Sequence, residues 1–142
     1  MNKILVSALM ILFVVSCDFV YYASIRNDSG ETIQVTVKYN RNRYDSVFNG
    51  ANYYQLVPAF EDNTHLTLKK YDSVKLQITY EVPPNAEMQI EHSTTGWNGY
   101  PDFYYIDEIY IQSSVKVYSF KKNDFRVAFK KIKAYKYVLT IR

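Results

Sequence analysis

The sequence predicts an all-β fold, and three observations predict it. Apolar and polar residues alternate at period two through much of the chain, turn-forming residues separate those runs at short spacing, and no ten-residue stretch holds an apolar stripe at helical period. In Ile33-Gln34-Val35-Thr36-Val37-Lys38-Tyr39 every odd position is apolar and every even one polar. The run from Ser73 to Glu81 repeats the pattern with the parity reversed. Such alternation belongs to antiparallel strands with one buried and one wet face. Weaker copies lie at His65–Leu68, Glu87–Glu91, Val115–Val117 and Phe125–Phe129, and Tyr135–Ile141 also reads as a strand. Residues 19–26 and 103–112 are more continuously apolar or aromatic, as strands buried on both faces are. The count is about eight or nine strands. That points to an antiparallel β-sandwich of the immunoglobulin-like kind, with a small closed β-barrel as the alternative.

Turn chemistry orders these runs. Asn27-Asp28-Ser29-Gly30 is expected to join the first two strands as a tight hairpin. Lys70-Tyr71-Asp72-Ser73 and Pro83-Pro84-Asn85 punctuate the middle, and Lys121 to Asp124 is a polar break near the end. Residues 40–63 form the longest irregular segment, rich in Asn, Arg and Tyr.

The first residues read differently. Met1-Asn2-Lys3 is a short polar start with one positive charge, and Ile4 to Val15 is apolar except for Ser7. This is the layout of a secretory signal peptide, expected over residues 1–16. The apolar run of 12 residues is too short for the roughly 20 that a spanning helix needs. The remaining 126 residues, 17–142, are expected to be one all-β domain. Cys17 is the only cysteine, so that domain has no internal disulfide and folds on its core alone.

Chemistry is sparse. His65 and His92 are the only histidines, and neither has a cysteine, serine or paired acid at motif spacing. Asp107 and Glu108 are adjacent, so on a strand they are expected to face opposite ways. Neither an enzyme nor a metal or cofactor site is expected.

Aromatic residues and charge are more informative. The chain has 15 Tyr, 8 Phe and 1 Trp. Several cluster outside the strand-like runs, at Tyr44, Tyr53, Tyr54, Trp97 and Tyr100, the last two flanking Asn98-Gly99. Aromatics beside amide side chains suit a glycan or protein ligand, so Tyr53, Tyr54, Trp97, Asn98 and Tyr100 are candidate ligand contacts. Charge is uneven: residues 121–142 hold eight basic residues against Asp124 alone, whereas residues 17–120 sum to −5. Lys130, Lys131, Lys133 and Lys136 are therefore candidates for contact with an anionic membrane surface. Export removes the chain from nucleic acid, so none is expected as a partner.

Val14-Val15-Ser16-Cys17 resembles the lipobox of bacterial lipoproteins: an aliphatic residue, a tolerant position, a small residue, then Cys. The resemblance implies a diacylglycerol on the Cys17 sulfur, cleavage between Ser16 and Cys17, and acylation of the new amine. It departs mildly where Val14 stands in place of the commoner Leu and Ser16 in place of Gly or Ala. Two or more acyl chains hold a protein on a membrane stably. Phe19 opens the first strand-like run almost at once, with no polar linker after the cysteine. Asp45-Ser46-Val47 and Asp72-Ser73-Val74 resemble the acceptor tripeptide of a general O-glycosylation system in some Gram-negative bacteria, which marks Ser46 and Ser73 as candidate acceptors. The whole resembles the small single-domain lipoproteins of Gram-negative envelopes. The expected role is a membrane-anchored, non-enzymatic binding or structural module of the envelope, at the outer membrane rather than the inner, with a glycan or envelope protein as partner. The alternative is a periplasmic hydrolase inhibitor or immunity lipoprotein.

Overall fold

The computed structural model describes residues 20–48, 63–93 and 99–142. Nine strands are described: β1 (Tyr21–Asn27), β2 (Ile33–Tyr39), β3 (Thr67–Asp72), β4 (Gln77–Val82), β5 (Glu87–Ser93), β6 (Ile106–Gln112), β7 (Val117–Lys121), β8 (Lys130–Lys133) and β9 (Lys136–Ile141). Two short helices accompany them, α1 (Arg41–Phe48) and α2 (Lys122–Ala128). One sheet has the order β5-β1-β9-β8 and the other β3-β4-β2-β6-β7. The sheets are not closed on each other, so the barrel alternative fails and the arrangement is that of a two-sheet sandwich.

The alternation expected of β2 is seen in full. Ile33, Val35, Val37 and Tyr39 are buried, and Gln34, Thr36 and Lys38 face outward. Ile78, Tyr80 and Val82 do the same from β4. Opposite them lie Ala23 and Ile25 of β1, Met88 and Ile90 of β5, and Tyr137, Leu139 and Ile141 of β9, all in one shared core. Most pairings are antiparallel, but β1 and β9 run parallel. That pairing ties the two ends of the domain together.

Several local expectations are corrected. First, Asn27-Asp28-Ser29-Gly30 is not a hairpin: β1 and β2 lie in different sheets, and residues 28–32 cross between them. The buried Asn27 makes the crossing. Its Nδ2 donates to the carbonyls of Glu31 (2.6 Å) and Val82 (2.8 Å), and its Oδ1 accepts from Ser29 N (3.1 Å) and Oγ (2.6 Å). Gly30 takes φ +80°, which a side chain would strain. Removing this hub leaves buried carbonyls unpaired, so Asn27→Ala is expected to destabilise the domain by about 2 kcal/mol in urea denaturation. A loss indistinguishable from zero would mean that the crossing is held elsewhere.

Second, the turn before β4 falls later than expected. Lys70, Tyr71 and Asp72 belong to β3, and residues 73–76 form the turn. Asp72 Oδ1 accepts from Val74 N and Lys75 N at 3.0 and 2.9 Å, and Leu76 adopts φ +49°. Val74, apolar in the alternating run, is 81% exposed in that turn.

Third, Phe125–Phe129 is not a strand. Its Phe-x-Val-x-Phe alternation also places Phe125 and Phe129 four apart, on one side of a helical turn. Both phenylalanines are buried while Val127 is exposed. The Asp124 carboxylate accepts from Lys121 N at 2.9 Å, closing the first turn of α2. This helix carries the chain from the β7 edge of one sheet to the β8 edge of the other. Within residues 40–63, Arg41–Phe48 is helical rather than irregular.

One sheet edge is shielded by a side chain. The buried Asn63 donates Nδ2 to Gln89 O (2.7 Å) and accepts from Gln89 N (2.9 Å), as a neighbouring strand would. Edge groups paired this way are not open to another chain.

Candidate functional site

Strand registers gather several sequence features at one end of the sandwich. The start of β1 lies beside the end of β5 (Tyr21↔Ser93) and the start of β9 (Tyr22↔Lys136). Because β1 and β2 are joined at the far end, this end also holds the close of β2 and the start of β6 (Tyr39↔Ile106). Helix α1, segment 99–105 and the turn between β8 and β9 all meet here.

A β-bulge builds the interior of this end. Ala23 pairs with Glu91 but Ser24 pairs with Gln89, so Ile90 is the extra residue of β5. A bulge re-aims the side chains that follow it. Glu91 lies opposite the inward Ala23, and Ser93 opposite the buried Tyr21, so both share the core face, while His92 is exposed. The strict alternation expected of Glu87–Glu91 would have turned Glu91 to water.

Glu91 meets an aromatic and charged surround. Burial pushes its carboxyl up to about 8, Asp102 adds to the rise, and Lys122 opposes it. Glu91 is therefore largely protonated at neutral pH and can both donate and accept a hydrogen bond. The Tyr39 hydroxyl lies within its electrostatic reach and is raised far above the usual phenol range, by burial first and then by Glu91. Tyr39 is 9% exposed, and its Oη has no hydrogen-bond partner among the described residues. The buried Ser93 Oγ also has none among them. Two hydroxyls, Tyr39 Oη and Ser93 Oγ, thus sit buried at one end of the core beside the inward-facing Glu91, without a hydrogen-bond partner among the described residues, an arrangement that folded proteins rarely leave dry.

The rim is fixed by segment 102–107. Phe103 is 2% exposed yet takes φ +49°, a conformation that bulky residues seldom adopt. Asp102 Oδ1 accepts from Tyr104 N at 2.6 Å, and Lys122 Nζ donates to Phe103 O at 2.9 Å. The Phe103 ring packs on Phe125 and Phe129 with centroids 4.9 and 5.0 Å away. Arg43 Nη1 donates to Tyr104 O at 2.9 Å, and its guanidinium lies 5.4 Å from the Tyr104 ring centre. Tyr105 sits edge-on to both Tyr44 and Tyr104. Burial, with Arg43 second, lowers the Lys122 ammonium from its ordinary value. Outside this rim, Lys38, Arg41, Asn42, Lys75 and Asp107 line an open depression of about 220 Å³.

Asp107 and Glu108 have separate partners. Asp107 is the extra residue of a bulge in β6 and accepts from Asn40 Nδ2 at 3.0 and 3.1 Å. Glu108 sits across from Lys38 and accepts from Ser119 Oγ at 3.1 Å.

The other residues marked in the sequence are placed as follows. Tyr100 is half-buried. Its Oη donates to Phe125 O at 2.7 Å, and its ring stands edge-on to Tyr137 at 4.7 Å. Tyr137 Oη in turn donates to Gly99 O. Tyr100 therefore braces the segment that leads to the rim. Cys17, Tyr53, Tyr54, Trp97 and Asn98 lie outside the described residues. Ser46 is exposed on α1 with Oγ donating to Arg43 O, and Ser73 is exposed in the β3–β4 turn. Lys130, Lys131 and Lys133 are exposed on the edge strand β8, whereas Lys136 pairs with Glu87 at 2.6 Å. Glu91, Ser93 and Tyr39 were not marked by sequence reasoning, because nothing in Glu-Met-Gln-Ile-Glu signals that one residue is extra. Among the described residues no group of His, Cys, Asp or Glu is arranged to hold a metal, and no helix is long and apolar enough to cross a membrane.

Comparison with protein-family models, with curated proteins and with solved structures finds no match to this chain.

Proposed function

We propose that this chain is a lipid-anchored, non-enzymatic binding module of a bacterial envelope, held at a membrane through Cys17. Its ligand is a hydroxyl-rich molecule, an envelope glycan, taken by Glu91, Tyr39 and Ser93. The immunoglobulin-like reading of the sandwich fits this role, since such scaffolds carry their contacts at one end of two packed sheets.

The observation that supports the ligand class most is the pair of buried hydroxyls, on Tyr39 and Ser93, for which the described residues supply no hydrogen bond, beside the inward-facing Glu91. A protonated carboxyl and two hydroxyls offer donors and acceptors without net charge, which suits a neutral polyol. The half-buried Tyr105 ring, within electrostatic reach of Glu91, suits the apolar face of a sugar. The nearby Lys122 and Arg43 oppose a cationic ligand. Support for the anchor comes from the signal layout and the lipobox-like Val14-Val15-Ser16-Cys17.

Binding to a panel of envelope mono- and disaccharides, followed by calorimetry, tests the ligand. At least one sugar is expected to bind, and Ser93→Ala is expected to weaken it about tenfold, one hydrogen bond's worth. A panel that binds nothing would mean that the site holds only water, and the ligand reading would fall.

A further inference from the structure

The structure also sets which face of the domain meets the bilayer, and what it meets there. We propose that the β8 edge and the exposed flank of α2 form a docking surface for anionic phospholipid headgroups. This rests on the lipid-anchor reading for the placement of that face, but its affinity for lipid is measurable without the anchor.

The length of chain carries the first part. β1 begins at Tyr21, four residues after Cys17. Four extended residues reach at most about 14 Å. An acylated Cys17 therefore brings the start of β1 down to the headgroups, and the end of the sandwich that holds Tyr22 faces the bilayer. Tyr22 N donates to Tyr135 O at 2.8 Å, which fixes the β8–β9 turn beside that entry point.

Charge carries the second part. All four residues of β8 are exposed, three of them lysines and the fourth Ile132. Lys133 pairs with Lys136, level with Tyr22, and Lys130 pairs with Val138, two residues further up. At roughly 3.3 Å per residue, the lysines span only about 7 Å above the turn. That is within the screening length of about 8–10 Å, over which an anionic surface attracts them. The exposed Arg126 of α2, within electrostatic reach of Tyr100 in the 99–105 segment at this end, adds a further cation. Val127 (71% exposed) and Ile132 (45%) supply apolar side chains among the cations. A strand with both faces wet buries little apolar area, so core packing does not account for this sequence. Edge protection accounts for the lysines but not for the exposed apolar Val127 and Ile132 set near them, whereas an anionic interface accounts for both.

The test uses residues 17–142 with Cys17→Ser, which keep every described strand and the shared core but take no acyl chain. Sedimentation with mixed phosphatidylcholine–phosphatidylglycerol vesicles and with pure phosphatidylcholine vesicles gives the partition coefficient. Binding is expected to the mixed vesicles alone and to fall with salt. Lys131→Glu is expected to lose at least about fivefold, and the Lys130→Glu, Lys131→Glu, Lys133→Glu triple at least about a hundredfold. Lys116→Glu, in the turn at the opposite end, is expected to change binding by less than about twofold. Equal partition into both vesicle types, or a triple variant that binds like the wild type, overturns the proposal. An equal loss from Lys116→Glu overturns it too, because the attraction would then be one of net charge and not of this face. Failure of the anchor reading is a separate result, read from acylation of Cys17, and does not move these numbers.

Discussion

Phe103→Ala is expected to destabilise the domain by about 3–5 kcal/mol. The ring is fully enclosed, packed by Phe125, Phe129 and Tyr100, so truncation opens a cavity among rigid aromatic neighbours that cannot collapse into it. The residue also holds a strained φ of +49°, kept in place by the Asp102 turn and by Lys122 on its carbonyl. With the ring gone, only those two backbone contacts hold that conformation, and Tyr104 and Tyr105 are held less firmly at the rim. Urea unfolding followed by far-ultraviolet circular dichroism measures the loss. A cost below about 1 kcal/mol would mean that the aromatic cluster is not a continuous part of the core.

Glu91→Gln is expected to stabilise the domain at high pH. The carboxyl is raised from 4.5 to about 8 in the folded state, chiefly by burial. Between those values the folded chain binds more protons than the unfolded one, so stability falls as pH rises. The contribution of Glu91 is fully present below about pH 4.5 and lost as pH climbs through 8. Glutamine mimics the protonated form at every pH. The variant should match the wild type near pH 4.5 and exceed it above pH 8 by several kcal/mol, at about 1.4 kcal/mol for each unit of displacement. Denaturation midpoints across this range decide the matter. Parallel pH profiles for the two proteins would show that the carboxyl is solvated and that the bulge does not bury it.

The class of fold was legible because period-two alternation is a direct consequence of the pleat, and β2 and β4 obey it closely. The assignment of strands to sheets was not legible. Asn-Asp-Ser-Gly is good turn chemistry for a hairpin, but the same residues serve a crossing between sheets once the Asn27 amide is buried against Val82. Helix α2 was misread because Phe125-x-Val-x-Phe129 satisfies period two and an i, i+4 spacing at once. Only the burial of both phenylalanines beside an exposed Val127 separates them. The candidate site was the least legible part. It depends on one extra residue, Ile90, that flips Glu91 inward, and a bulge leaves no compositional trace when the residues around it are ordinary strand formers. Lys130, Lys131 and Lys133, by contrast, could be picked out by charge alone, and their exposure on an edge strand follows from that charge.

The central claim is the lipid at Cys17, and the most direct measurement is the mass of the N-terminal peptide from protein expressed in a lipoprotein-competent bacterium. The account predicts a peptide that begins at Cys17, bears diacylglycerol on sulfur, and is absent from a Cys17→Ala variant. An unmodified Cys17, or a chain that still begins at Met1 or is cut elsewhere, would contradict it.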